Sequence, residues 1–118
     1  MAFRFEGLEI WKKARLLVTE VCSFTEKFPR KEDYALTGQL NRAVYSIGLN
    51  ISEGSGRSST KEFTYFLDIS LGSLFEVICG LYFALDRGYI TQIEFDKIYE
   101  NGEILGKSIN SFKKTIRN

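Results

Sequence analysis

The sequence predicts an all-α protein, an antiparallel up-down-up-down bundle of four helices. Apolar residues recur every three or four positions in four successive segments, and no segment alternates apolar and polar residues as a half-buried strand would. The connections between segments are expected to be about three to six residues long, which makes successive helices antiparallel. The 118 residues are predicted to form a single domain, residues 1–118.

The first two helices follow from two apolar stripes. The first stripe is expected to end at Pro29, because proline cannot continue a helix; its members are Trp11, Ala14, Val18, Val21, Thr25 and Phe28. The second stripe is expected to end at Gly54, a C-terminal cap with positive φ; its members are Leu36, Leu40, Ala43, Ile47 and Ile51.

The third helix carries the most apolar stripe, with aromatic residues spread around it, so we expect it to be the most buried. Its stripe consists of Leu67, Leu71, Leu74, Ile78, Leu81 and Leu85. Gly88 is expected to close this helix, and Thr91 with Glu94 has the spacing of a capping box that opens the fourth. The fourth stripe is Phe95, Ile98, Leu105, Ile109, Phe112 and Ile116.

Composition limits the classes of function. Apolar residues make up 44% and charged residues 26%, which is typical of a globular protein. The formal net charge is only +1, so attraction to nucleic acid would have to come from local clusters. Cys22 and Cys79 are expected to be small buried hydrophobes of a reducing compartment. We expect a cytoplasmic protein without a membrane partner, since no apolar run reaches the ~20 residues that span a bilayer.

The chain contains no histidine, which removes the commonest general base and the commonest transition-metal ligand. We therefore expect no enzyme, no metal and no cofactor. Asp68 and Glu76 lie within the apolar third helix, where a carboxylate is either paired or functional, and pairing is the favoured reading. Cys79 is expected to serve packing and not nucleophilic catalysis.

The stretch SEGSGRSSTKEF, residues 52–63, raises the question of a phosphate site. A phosphate-binding loop of the Walker type needs a preceding strand and a glycine before its lysine, and Lys61 has neither. Ser59 and Glu62 instead have the spacing of a capping box. Arg57 and Lys61 are left beside a helix N-terminus, where an anion would relieve their conflict with the helix dipole. An anion site and a solvated corner both remain open.

One side of the third helix combines small and charged residues and predicts a subunit interface, with a solvated face as the alternative; its members are Asp68, Gly72, Glu76 and Gly80. Arg42 is a candidate counter-charge for Asp68 or Glu76, within a subunit or between subunits. Basic residues also follow Trp11 and recur near the C-terminus: Lys12, Lys13, Arg15, Lys107, Lys113, Lys114 and Arg117. In an oligomer each patch would repeat, which would enlarge the basic surface.

Three stretches resemble a known family: LEIWKKARLLVTEVCSFTEKFP, then YALTGQLNRAVYSIGLNISEGSGRSSTKEFTYFLDISLGSL, then Gly88 to Ile90. They resemble the four-helix-bundle proteins of the 23S rRNA intervening-sequence family, also labelled ribosomal protein-like. The most specific segment has the form S-I-x-x-N-I-x-E-G-x-G-R-S, residues 46–58. The positions that match the family's motif are Asn50, Glu53, Gly54, Arg57, Glu62 and Phe63. Gly48 stands where a proline is usual, and Asn41 replaces one member of an Arg-Arg pair.

The resemblance implies a ring-shaped homo-oligomer, a homopentamer, and a similar protein serves diversity-generating retroelements as an accessory that binds nucleic acid and a reverse transcriptase. The favoured function is therefore non-enzymatic binding of RNA or DNA by an oligomer, with a co-encoded protein as a further partner. The candidate nucleic-acid contacts are Lys12, Lys13, Arg15, Arg42, Arg57 and Lys61. The alternative function is a protein-protein interaction scaffold with no nucleic-acid role, whose binding face lies on the third helix.

Overall fold

The computed structural model describes residues 2–117. Its four α-helices are α1 (Glu9–Thr25), α2 (Leu36–Ser55), α3 (Thr60–Asp86) and α4 (Gln92–Ile116), and short 3-10 helices lie at Arg4–Gly7 and Arg30–Glu32. No β-strand occurs in this part of the chain, so the predicted all-α fold is confirmed.

The helices form an antiparallel bundle in which each packs against the next and α4 returns to α1. The backbones of the two diagonal pairs of helices do not approach each other, as in a four-helix bundle with up-down-up-down topology. The bundle measures 45 × 24 × 23 Å. Its interior is a single apolar cluster to which all four helices contribute, with one fully buried representative from each helix: Leu17, Ile47, Leu81 and Leu105.

Two predicted helix ends are confirmed. The Thr91 hydroxyl accepts the backbone N–H of Glu94 at 3.1 Å, and the Glu94 carboxylate accepts the N–H of Thr91 at 2.8 Å, which completes the capping box. That backbone N–H is the main cause of the lowered pKa of Glu94. Gly88 follows the last residues of α3 with φ of 75°, a conformation that glycine adopts without strain.

Other boundaries differ from the predictions. Helix α1 ends at Thr25, four residues before Pro29, because the chain turns through a short 3-10 helix and reaches α2 only at Leu36. The first connection is therefore longer than expected. Gly54 does not cap α2 with positive φ, since the helix continues to Ser55 and Gly88 has the only positive φ among the described residues.

Gly54 is needed for close packing instead. A methyl group at its α-carbon would lie 2.8 Å from both Cδ1 of Phe63 and Cβ of Phe66. The absence of a side chain thus allows the start of α3 to pack directly on the end of α2. Two polar contacts continue this close packing toward the middle of the bundle. The Ser70 hydroxyl donates to the carbonyl of Ile47 at 2.9 Å, and the Ser73 hydroxyl donates to the hydroxyl of Ser46 at 2.9 Å. Small residues at these positions let α2 and α3 pack more extensively than any other pair of helices.

The prediction that α3 is the most buried helix is wrong in proportion to length, since eight of the 20 residues of α2 are buried and nine of the 27 residues of α3. Its outer surface exposes large aromatic side chains, with Phe75 75% and Tyr65 62% accessible. By length and composition α3 is also long and apolar enough to cross a membrane, contrary to the expectation that no segment would be. Core helices of soluble proteins can have the same length and composition. Less than half of its most apolar stretch is buried within the bundle, so α3 carries more apolar surface than one copy of the chain covers.

Candidate nucleic-acid interface

The fold brings three distant parts of the sequence to one half of the bundle. Arg4 stacks over the ring of Phe63 at 5.0 Å, which joins the N-terminus to the start of α3. Phe63 in turn packs edge-on against Phe112 near the end of α4, with ring centroids 5.5 Å apart. Lys13 of α1 and Lys107 of α4 line the same shallow groove. These contacts define one half of the molecule, residues 2–15, 50–73 and 106–117.

This arrangement separates the charges of the chain. The first half, here called the basic half, holds ten Lys and Arg against five Asp and Glu. The other half, residues 16–49 and 74–105 and here called the acidic half, holds six Lys and Arg against ten Asp and Glu. The net charge of +1 therefore conceals an uneven distribution of charge along the bundle, with one basic and one acidic half.

The three predicted contacts on α1 lie in the basic half, but their surroundings differ. Lys12 is exposed and lies 3.4 Å from a carboxylate oxygen of Glu9. Lys13 is half-buried at the groove with α4, without an ion-pair partner among the described residues. Arg15 stacks over the indole of Trp11 at 5.6 Å. Lys12 and Arg15 are thus exposed, whereas Lys13 is partly covered by the groove with α4.

In the turn between α2 and α3, one of the two cations is already paired with a carboxylate of the same chain. The Arg57 guanidinium donates to the Glu53 carboxylate at 2.6 Å and stacks over the ring of Phe66 at 4.9 Å. An anion is thus not required to compensate Arg57, because Glu53 already does so. The Ser59 hydroxyl accepts the N–H of Glu62 at 3.1 Å, but the reciprocal half of the predicted capping box does not form. Lys61 is exposed, and no carboxylate pairs with it in the described chain.

Arg42 lies apart from the other candidate contacts, in the acidic half and on the outer side of α2. Its proposed pairing with Asp68 within one subunit is wrong. The ammonium of Lys113 forms the ion pair with Asp68 and ties the end of α4 to α3. Glu76 is exposed and has no ion-pair partner anywhere in residues 2–117, so Arg42 does not pair with Glu76 within the subunit either.

The four predicted interface residues do not share one environment. Asp68, Gly72 and Glu76 are exposed, and nothing lies within 4 Å of a methyl group added at Gly72. Gly80 is buried, and a methyl group there would lie 2.7 Å from Cδ2 of Leu40. Gly80 therefore serves packing between α2 and α3.

Sequence reasoning missed several residues of the outer surface of α3. Phe75, Tyr82 and Phe83 are all exposed, although their type and their place in an apolar helix had suggested burial. Cys79, expected to be buried, is exposed beside them, and Cys22 is half-buried. The available signal was that aromatic residues surround α3 on all sides, which is more apolar surface than one face of a bundle helix can bury.

Two side-chain contacts that shift a pKa lie away from the basic half. Tyr89 donates its hydroxyl to Glu32 at 2.8 Å, and this hydrogen bond lowers the pKa of Glu32 and raises that of Tyr89. A weak contact between the Cys22 thiol and the hydroxyl of Tyr45 raises the pKa of Tyr45. Across the described residues, no group of three Asp, Glu or Cys side chains is arranged to hold a metal ion.

Comparison with known proteins gives a family and a fold. The model of the 23S rRNA-intervening sequence protein family matches residues 6–111. A crystal structure of a protein with unknown function from the S23 ribosomal protein family, from Bacteroides thetaiotaomicron, is similar with a TM-score of 0.82. The two chains are 22% identical, and the similarity covers 89% of this chain and 98% of the other. The comparison with curated proteins returns no match.

Proposed function

Because this chain belongs to the family of 23S rRNA-intervening sequence proteins, we propose that it is a non-enzymatic protein that binds structured RNA or DNA and assembles with copies of itself. The observation that supports nucleic-acid binding is the uneven distribution of charge between the two halves of the bundle. Ten cations against five carboxylates in one half give a local excess that the net charge does not reveal.

The cations of the basic half differ in how freely they would meet a phosphate. Lys13 and Lys61 have no ion-pair partner in the part of the chain that the structure describes. Lys12 has only an exposed pair with Glu9, which contributes little in water. Arg57 is already engaged by Glu53. We therefore place Lys12, Lys13 and Lys61 first among the phosphate contacts, Arg15 and Arg57 second, and Arg42 outside the surface.

Such a surface fits phosphate backbones better than base edges. Lysine ammonium groups on long side chains neutralise phosphates without selecting a base, and the released counterions make binding strongly salt-dependent. In residues 2–117 these lysines lie on helix surfaces and at one shallow groove. The proposed ligand is therefore recognised by its shape and charge, in the manner of structured RNA or duplex DNA.

The resemblance supplies the more specific forms of the proposal. They are a ring-shaped homopentamer in the cytoplasm and an accessory role beside a co-encoded reverse transcriptase in diversity-generating retroelements. The excess apolar surface of α3 supports self-association in general, without favouring a subunit number.

The decisive experiment is fluorescence anisotropy of labelled structured RNA and duplex DNA at two salt concentrations. We expect salt-sensitive binding by the wild type that is strongly weakened in Lys12→Glu/Lys13→Glu. The matched control is Lys31→Glu/Lys97→Glu, which reverses two exposed charges of the acidic half and should bind like the wild type or slightly more weakly. Equal loss in both double variants would indicate nonspecific attraction to overall charge, and no binding by the wild type at low salt would refute the proposal.

A protein-protein interaction scaffold is the second candidate. The exposed aromatic residues of α3 favour it, because Phe75, Tyr82 and Phe83 are typical of the centre of a protein interface. Tight association with a co-encoded protein, together with absent nucleic-acid binding, would select this function.

A further inference from the structure

A polar cavity lies between the end of α1 and the beginning of α2, where the chain passes through the short 3-10 helix at Arg30–Glu32. Its volume of about 380 Å³ is within the range of small-molecule sites. The wall on α2 is one side of that helix, because Thr37, Asn41 and Tyr45 follow one another at intervals of four residues. Thr25 of α1 also lines the cavity. The lining is thus unusually polar for the space between two packed helices.

Asn41 is oriented so that its hydrogen-bond donors are left free. Its side-chain carbonyl accepts the hydroxyl of Thr25 at 2.8 Å and lies 3.8 Å from the thiol of Cys22. The carbonyl oxygen is therefore held by α1, and the two N–H groups are the donors that remain. They have no partner in residues 2–117, and the protein does not enclose them. A ligand in the cavity meets a pair of donors whose orientation is already fixed.

Thr37 carries the one buried side-chain oxygen or nitrogen that lacks a hydrogen-bond partner in the described part of the chain. A buried hydroxyl without a partner lowers stability, because it has lost its hydrogen bonds to water. The residue as a whole is only partly buried and lines the cavity. Threonine in a helix adopts two side-chain rotamers, so a change of rotamer brings the hydroxyl to the cavity. A ligand with a polar edge would satisfy this group.

An aromatic ring and two opposite charges complete the lining. Tyr45 is 51% exposed, so part of its ring is free to stack on a planar group. Arg30 and Asp33 are both exposed, and neither forms an ion pair within residues 2–117. Residues 26–33 hold three Lys or Arg and three Asp or Glu, so no net charge attracts a free anion to this region.

These groups match the parts of a ribonucleotide. A base can stack on the ring of Tyr45 and accept the N–H groups of Asn41 at a carbonyl oxygen or ring nitrogen. Ribose hydroxyls can donate to the carboxylate of Asp33, and a phosphate can meet the guanidinium of Arg30. The order of the chain agrees with this assignment, since Tyr45 and Asp33 are the first and last of these residues along one row.

We propose that this cavity is a ribonucleotide site, in which Thr37, Asn41 and Tyr45 bind the base and Arg30 and Asp33 bind the phosphate and the sugar. The ligand is a free mononucleotide or an unpaired nucleotide of an RNA, which present the same chemistry. The inference does not rest on the proposed binding of nucleic acid by the basic half, because none of the candidate contacts of that half lines the cavity.

The test is a titration of isotope-labelled protein with AMP, CMP, GMP and UMP, followed by NMR shifts of the backbone amides. We expect saturable shifts centred on residues 33–45. Ribose phosphate and inorganic phosphate lack the base and should bind at least about tenfold more weakly. Absence of saturation at millimolar nucleotide, equal binding of ribose phosphate, or shifts centred elsewhere would overturn the proposal, and the cavity would then hold only water.

Two variants separate binding from folding. Asn41→Leu removes the donors and should weaken nucleotide binding about tenfold. Thr37→Val should also weaken binding but raise the resistance of the protein to urea, because it removes the unpartnered hydroxyl. Simple damage to the fold would not move binding and stability in opposite directions. The matched control Thr64→Val makes the same change on α3, outside the cavity, and should bind like the wild type. Unchanged binding by folded Asn41→Leu would overturn the proposal.

Short single-stranded RNA distinguishes the two sources of the ligand. Shifts of the same amides at lower concentrations of an RNA hexamer than of mononucleotide, lost in Asn41→Leu, would identify an unpaired nucleotide of RNA. Shifts with the mononucleotide alone would identify a free nucleotide. Failure of the basic half to bind RNA or DNA leaves the test intact, because the titration with mononucleotides does not depend on that surface.

Discussion

Gly80 and Leu40 touch where α2 and α3 cross, with so little space that a methyl group at Gly80 would lie 2.7 Å from Cδ2 and 3.0 Å from Cγ of Leu40. Leu40 is 1% exposed, so its side chain is enclosed by the bundle on most sides. The glycine therefore sets the distance between the two helices that form the largest contact in the bundle.

Gly80→Ala is expected to destabilise the protein by about 1 kcal/mol, although alanine is the better helix former. Overpacking of a close contact costs about 1–3 kcal/mol, and the gain in helix propensity offsets about 1 kcal/mol of this. Urea denaturation at fixed protein concentration measures the change. In a Leu40→Val background the same substitution should cost less or become stabilising; an unchanged cost there would show that Leu40 is not the obstacle.

The ion pair between Asp68 and Lys113 should couple the two residues energetically. Lys113 is 17% and Asp68 56% exposed, so the coupling is expected to be about 0.5–1 kcal/mol and to decrease in high salt. A double-mutant cycle with Asp68→Asn and Lys113→Met measures it by thermal or urea unfolding. The same cycle between Asp68 and Arg42 should give a value near zero, and a comparable coupling there would contradict the pairing seen in the structure.

Stability should depend on pH through Glu32. The hydroxyl of Tyr89, the N–H of Leu36 and the guanidinium of Arg87 favour its ionised form, so its pKa in the folded protein lies below the usual value of 4.5. A lowered folded-state pKa contributes stability that is complete above the unfolded-state pKa and is lost as pH falls through the folded-state value. Glu32→Gln should therefore be less stable than the wild type at about pH 7, and the difference should shrink toward about pH 3.

Unfolding free energies of wild type and Glu32→Gln across this range check the prediction. Tyr89→Phe removes the main cause of the lowered pKa and should reproduce much of the effect while retaining the carboxylate. A difference between wild type and Glu32→Gln that stays constant with pH would mean that the side chain acts only through packing.

Lys61 and Arg57 should contribute unequally to nucleic-acid binding, although they are four residues apart in one turn. Arg57 is held by Glu53 at 2.6 Å and by the ring of Phe66, whereas Lys61 is unpaired in the described residues. Lys61→Gln is therefore expected to lower the slope of log K against log salt by about one, and Arg57→Gln by less. Anisotropy titrations at several salt concentrations measure both slopes, with molar mass checked in parallel so that a change in assembly is not read as a lost phosphate contact.

The sequence was sufficient for the fold because helical periodicity is a local property. The four stripes, the capping box of Thr91 and Glu94 and the closing glycine Gly88 each depend on residues a few positions apart, and all are present in the structure. Predictions that needed a distance between helices fared worse. Gly54 was assigned to a cap, but its role depends on Phe63 and Phe66, which approach it only after α3 folds back.

Side-chain pairing and charge distribution were decided by the tertiary structure. The antiparallel topology places residues 4, 61, 107 and 114 in the same half of the bundle and so creates the basic half, which neither the net charge nor any single segment reveals. The same topology pairs Asp68 with Lys113 and leaves the outer surface of α3 exposed. The sequence thus determines which residues lie on one face of a helix. Only packing determines which faces are covered and which charges become neighbours, because covered faces and ion pairs depend on contacts between residues far apart in the chain.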